Sequence, residues 1–190
     1  MLLRATLIAA CLLALAQDSF RDALNLGHTH DEALFDSFNR GYQLSVSGTI
    51  DSAEIITEFR RAVILVRQRD ALGDYIQDTR TLSNALAPFA GLVTFVVQAR
   101  LNPLNTYAKP PAYELYISTG PSTKPLAGKP YLREPIYPMG APASAGMIAV
   151  RLTASFPRAD IESAPQPALV VTDDRAEILW QARVDLGRYR

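Results

Sequence analysis

His28-Thr29-His30-Asp31-Glu32 gathers both histidines of the chain beside two carboxylates. Imidazole nitrogens and carboxylate oxygens are the donors that Zn²⁺ or another divalent ion accepts. The spacing matches neither H-E-x-x-H nor any other established ligand pattern. The same residues also carry a helix-start signal. Thr29 with Glu32 three positions on predicts a capping box, in which the hydroxyl takes a backbone N–H and the carboxylate reaches back. Such a start would make His28, His30, Asp31 and Glu32 straddle a helix end rather than share one face. Two readings stand: a metal centre serving hydrolysis, or a solvated linker ahead of a helix.

The second chemical candidate is a surface. Residues 103–142 hold nine of the thirteen prolines and five of the eight tyrosines. Proline lacks the donor that a central strand needs, so this stretch predicts loops, edge strands and extended segments. Tyrosine presents a rigid amphipathic face at low entropic cost. Proline keeps extended backbone in place and lowers the ordering cost of binding. Tyr107, Tyr113, Tyr131 and Tyr137 are therefore the candidate residues for a protein partner or an extracellular ligand. The competing reading is that they fasten long loops to the body of the domain.

No catalytic residue emerges. The chain has no G-x-S-x-G elbow, no G-x-G-x-x-G fingerprint and no P-loop. Ser118-Thr119-Gly120 and Ser122-Thr123-Lys124 lie in turn-rich sequence, where hydroxyls usually bond the local backbone. No cofactor is implied. Arg60-Arg61 falls near a predicted helix start, where cations are disfavoured; pairing with Asp51, Glu54 or Glu58 is the ordinary outcome. Asp173-Asp174 resembles a cation-binding pair in isolation, and a polar hairpin turn explains it better.

The start of the chain addresses compartment. A cation at Arg4, an apolar run from Ala5 to Leu13 and small residues at Ala14 and Ala16 form the pattern of a secretory signal peptide, with cleavage expected after Ala16. The run is shorter than the ~20 residues a membrane helix needs, so no transmembrane helix is expected in the mature chain. The alternative is a lipid anchor on Cys11, but the apolar run continues past that residue to Leu13. Cleavage after Ala16 would remove Cys11, the only cysteine, and with it any disulfide or thiolate site. Charges balance at 19 basic and 19 acidic residues, and no segment is strongly basic. That leaves no electrostatic footprint for nucleic acid.

These features must be positioned by a β-rich body. Residues 1–16 are read as signal peptide, residues 17–41 as a leader and N-terminal helix, and residues 42–190 as one β-rich domain; the leader, Gln17 to Leu26, is expected to be loose, with Phe20, Leu24 and Leu26 as its packing candidates. Leu34, Phe35 and Phe38 make the stripe of the N-terminal helix, and Gly41 ends it. Alternation predicts strands over Tyr42 to Ile50, Leu92 to Leu101, Ala112 to Ser118, Met147 to Phe156, Ala168 to Thr172 and Ala176 to Leu186. Asp51-Ser52 and Asp173-Asp174-Arg175 read as turns. Helices are predicted over Glu58 to Leu72, capped by Thr57, and over Asp78 to Ala87, stopped by Pro88. The β-branched run Val63-Ile64-Leu65-Val66 keeps a strand open as the alternative for the first of these. The fold class is mainly β (α+β), with an antiparallel β-sandwich-like core and two or three short helices.

Thr57-Glu58-Phe59-Arg60-Arg61-Ala62-Val63 and Asn102-Pro103-Leu104-Asn105-Thr106-Tyr107 with Pro111-Ala112-Tyr113 resemble an uncharacterised bacterial secreted protein family with no assigned activity. The resemblance implies export, to periplasm or extracellular space, and carries over no functional residue. The sequence thus points first to an exported non-enzymatic binding or assembly module. A metal-dependent hydrolase at His28/His30 and a purely structural envelope protein are the alternatives.

Overall fold

Period-two alternation of apolar residues creates most of the strands. In the computed structural model, residues 18–104, 107, 109–120, 124–129, 131–140 and 146–190 are described. Residues 1–16, read from the sequence as a signal peptide, and Cys11 with them lie outside the described residues. Among the described residues eight strands run in order: β1 (Ile50–Ile56), β2 (Leu92–Arg100), β3 (Glu114–Ser118), β4 (Leu126–Ala127), β5 (Tyr131–Ile136), β6 (Ala149–Pro157), β7 (Ala168–Thr172) and β8 (Ile178–Arg183). The helices are α1 over residues 18–27, α2 (Glu32–Arg40), α3 (Glu58–Ala71), α4 (Thr79–Leu86) and α5 (Arg158–Glu162). None among the described residues is long and apolar enough to cross a membrane.

The chain divides into two compact units, residues 40–56 with 91–189, and residues 18–39 with 57–90 and 190. The first holds all eight strands in two antiparallel sheets, ordered β1-β2-β6-β5 and β4-β3-β7-β8. Their inward residues form one hydrophobic cluster. Ile55, Val93, Phe95, Val97, Leu152, Ala154 and Phe156 come from one sheet, and Leu115, Ile117, Leu169, Val171 and Trp180 from the other. The expected α+β fold with a sheet core is therefore present. Phe95 and Phe156, diagonal neighbours across β2 and β6, meet edge-on with ring centroids 5.8 Å apart. Pro135 lies on β5, an edge strand of its sheet, where a missing donor does least harm.

The strand predicted over Tyr42 to Ile50 is not regular. Gln43 makes one isolated bridge to Glu54, and the chain runs beside β1 through Leu44 N–H to Ala53 O (2.8 Å) and Ile55 N–H to Tyr42 O (2.9 Å). The regular strand is β1, seven residues long, beginning at Ile50. Asp51-Ser52 is not a turn but the irregularity in the β1–β2 register between Ile50 and Ser52. Gly48, at φ 66°, lies just ahead of β1 instead.

The second unit is helical around its own apolar cluster: Ala23, Leu24, Phe59, Ala62, Val63, Val66, Ile76, Leu82 and Leu86. Helix α3 begins where Thr57 Oγ1 accepts the Arg60 N–H (3.3 Å). Its apolar residues at 59, 62, 63 and 66 share one buried face, which decides helix over strand for the β-branched run. Asp78 Oδ1 caps α4 through the Thr81 N–H (2.8 Å). The leader, expected to be loose, is helical in α1, with Ala23 and Leu24 buried. Gly27 is forced by contact, because a Cβ there would lie 2.6 Å from Val66 Cβ.

Candidate functional site

The histidine cluster disperses its members. His28 Nδ1 meets Asp70 Oδ2 at 2.6 Å, and Nε2 meets the Ile76 carbonyl at 3.0 Å. Both ring nitrogens are therefore occupied in tying the start of the unit to the end of α3 and the loop beyond it. His30 is exposed. Asp31, not Thr29, caps α2, with Oδ1 accepting the Leu34 N–H (3.0 Å). Thr29 Oγ1 takes the Asp31 N–H instead (3.3 Å), and Glu32 pairs with Arg67 rather than closing a capping box. Among the described residues no group of three His, Cys, Asp or Glu side chains is placed to hold a metal ion. Arg60 reaches Asn39 Oδ1 (3.4 Å), and Arg61 lies over the Phe89 ring at 4.1 Å. Burial pulls the Arg61 guanidinium below its ordinary value.

The tyrosine region does assemble a concave feature. The segment leading into β3 supplies Tyr107, Lys109, Pro110, Pro111 and Tyr113. Edge strand β5 supplies Arg133, the β7–β8 turn supplies Asp173 and Asp174, and Leu179 of β8 completes a groove of about 690 Å³. Tyr107, Tyr113 and Tyr131 are half-buried and pack on the sandwich core. The Tyr131 hydroxyl donates to the Tyr113 carbonyl, which fixes the segment ahead of β3 to β5. Arg133 then sits over the Tyr131 ring at 5.3 Å. Tyr137 is 53% exposed and is not among the residues lining this groove.

The acidic side of the groove is also fixed locally. Asp173 Oδ1 accepts the N–H groups of Arg175 (2.9 Å) and Glu177 (2.8 Å), holding the hairpin turn. Ala176 adopts φ 62° to close it. Burial raises the Tyr113 and Tyr131 hydroxyls above their ordinary range, and for Tyr113 the neighbouring Tyr107, Asp173 and Asp174 act in the same direction.

The groove therefore offers phenol rings, two cations and two carboxylates. It can hold an extended chain by stacking, hydrogen bonding and charge pairing, and it contains no histidine to serve as a base. Lys109, Arg133, Asp173 and Asp174 were not among the sequence candidates. Asp173-Asp174 reads in sequence as a cation-binding pair or, better, as a polar hairpin turn, and an arginine on an edge strand carries no signal of what lies across from it. Comparison with protein-family models, curated proteins and solved structures finds no match to this chain.

Proposed function

We propose that the chain is an exported, non-enzymatic binding module whose groove at Tyr107, Tyr113 and Arg133 takes an extended segment of a protein partner. The observation that carries this reading is the Tyr131 hydroxyl on the Tyr113 carbonyl. It holds the groove wall in place before any ligand arrives, which reduces the ordering cost of association. Balanced charges at the groove favour a polar, uncharged or mixed-charge segment over a nucleic acid. Export rests on the sequence of the first sixteen residues.

The test is crosslinking of the tagged protein in its native envelope, followed by mass spectrometry of what is recovered. The expected result is a reproducible protein partner that disappears with a Tyr107→Ala, Tyr113→Ala, Arg133→Ala triple variant and persists with Tyr137→Ala. Recovery of the protein alone refutes the reading. So does a partner indifferent to the triple variant, or a hydrolytic activity abolished by chelators.

A further inference from the structure

Strand β8 closes its sheet, and its outer edge can be read from the ladder. Ala168 faces Arg183, Leu169 faces Ala182 and Val170 faces Gln181, while the Val184 N–H bonds the Pro167 carbonyl at 2.9 Å. Hydrogen-bonded and non-hydrogen-bonded pairs alternate along an antiparallel ladder. Val184 and Ala182 therefore turn their main-chain groups toward β7. Gln181 and Arg183 turn theirs outward.

Along that edge runs a groove of about 650 Å³, lined by Gln181, Arg183, Asp185 and Arg188, with Arg40 and Ser45 across from them. Arg183 and Arg188 line it with one carboxylate, Asp185, and that carboxylate already accepts the Gly187 N–H at 3.1 Å through Oδ1. Guanidinium forks match carboxylates in a bidentate geometry. An edge with outward N–H and C=O groups is a template for strand addition.

We propose that the outer edge of β8 takes an extended acidic segment of a partner protein as an added strand, with Arg183 and Arg188 reading its carboxylates. Charge complementarity selects this occupant over a second copy of the chain. Edge-to-edge pairing of two copies would bring two arginine-lined grooves together, and like charges across a strand pair repel. The site is independent of the tyrosine groove, since it needs neither Tyr107 nor Tyr113.

The probe is a fluorescein-labelled octapeptide alternating glutamate with valine, followed by anisotropy against the full protein. A second peptide carries N-methyl groups at alternate residues, and a third replaces glutamate with lysine. The expected result is binding of the first peptide only. Arg183→Ala and Arg188→Ala should each weaken it about fivefold, the scale of an exposed charge pair. Tyr113→Ala should leave it unchanged, which separates this site from the tyrosine groove. Equal binding of the N-methylated peptide overturns the proposal, because attraction without strand addition would then suffice. No binding of the acidic peptide, or equal binding of the lysine peptide, also overturns it. Sedimentation showing a dimer that Gln181→Pro dissociates would assign the edge to a second copy and overturn it as well.

Discussion

Replacing Tyr131 by Phe removes one hydroxyl and leaves the ring. The Tyr113 carbonyl loses this donor, while the ring's packing on the core and its contact with Arg133 remain. A hydrogen bond of this kind contributes about 0.5–1.5 kcal/mol net. With a urea dependence of ~1–3 kcal/mol per molar for small domains, a loss near 1 kcal/mol lowers the unfolding midpoint by roughly 0.3–1 M. The assay is internal. Trp180 is the only tryptophan, and it is 5% exposed in the sandwich core, so its fluorescence reports this unit.

The same variant carries a pH signature. Burial raises the Tyr113 and Tyr131 hydroxyls above their ordinary value, so the folded state holds these protons more tightly than the unfolded chain. Their contribution is complete below the unfolded value of ~10 and is lost as pH rises through the higher folded values. Tyr131→Phe deletes one of the two groups, so its urea midpoint should fall less steeply with pH on the alkaline side. An unchanged midpoint at neutral pH would refute the claim that this hydroxyl holds the groove wall. An unchanged alkaline slope would refute burial as the cause of the shift.

Two further substitutions probe the backbone around the sites. Gly128→Ala places a methyl 2.6 Å from Ala154 Cβ and 2.9 Å from Phe156 Cζ; overpacking of about 1–3 kcal/mol should lower the melting temperature followed by Trp180 fluorescence, and an unchanged value would show that this segment can withdraw from the sheet. Ala176→Gly relieves a left-handed residue at φ 62°. The relief of about 1–2 kcal/mol outweighs the ~0.5–1 kcal/mol of added backbone entropy, so the melting temperature should rise, and a fall would refute strain at this turn.

The elements legible in the sequence were those whose local and tertiary demands agree. Thr57 caps α3, and Phe59, Ala62, Val63 and Val66 fall on its buried face, so capping and periodicity pointed the same way. Leu169 and Val171 alternate inward along β7, beside a turn that Asp173 closes by itself. Helix α1 was missed because its stripe is short, with Ala23 and Leu24 carrying the burial. The alternation of Tyr42, Leu44 and Val46 misled for the opposite reason. Val46 is 39% exposed, and only the first part of the segment follows β1. A polar pair, Asp51-Ser52, looks the same in sequence whether it makes a turn or an irregularity inside a strand.

The candidate sites were harder for a reason rooted in topology. The histidine motif is contiguous, so it was visible, yet contiguity placed its members in a linker where Asp70, Ile76 and Arg67 claim them separately. The tyrosine groove draws on residues 107–113, 133 and 173–179. Only its tyrosines were enriched enough to notice. The edge of β8 is less visible still, because its chemistry lies in which main-chain groups face outward. That depends on the register set by the Val184–Pro167 bond, not on the identity of Gln181 or Arg183. A fold of antiparallel strands joins distant segments side by side, so its binding surfaces are written in register. Composition revealed the aromatic half of one surface, and only the ladder revealed the edge of the other.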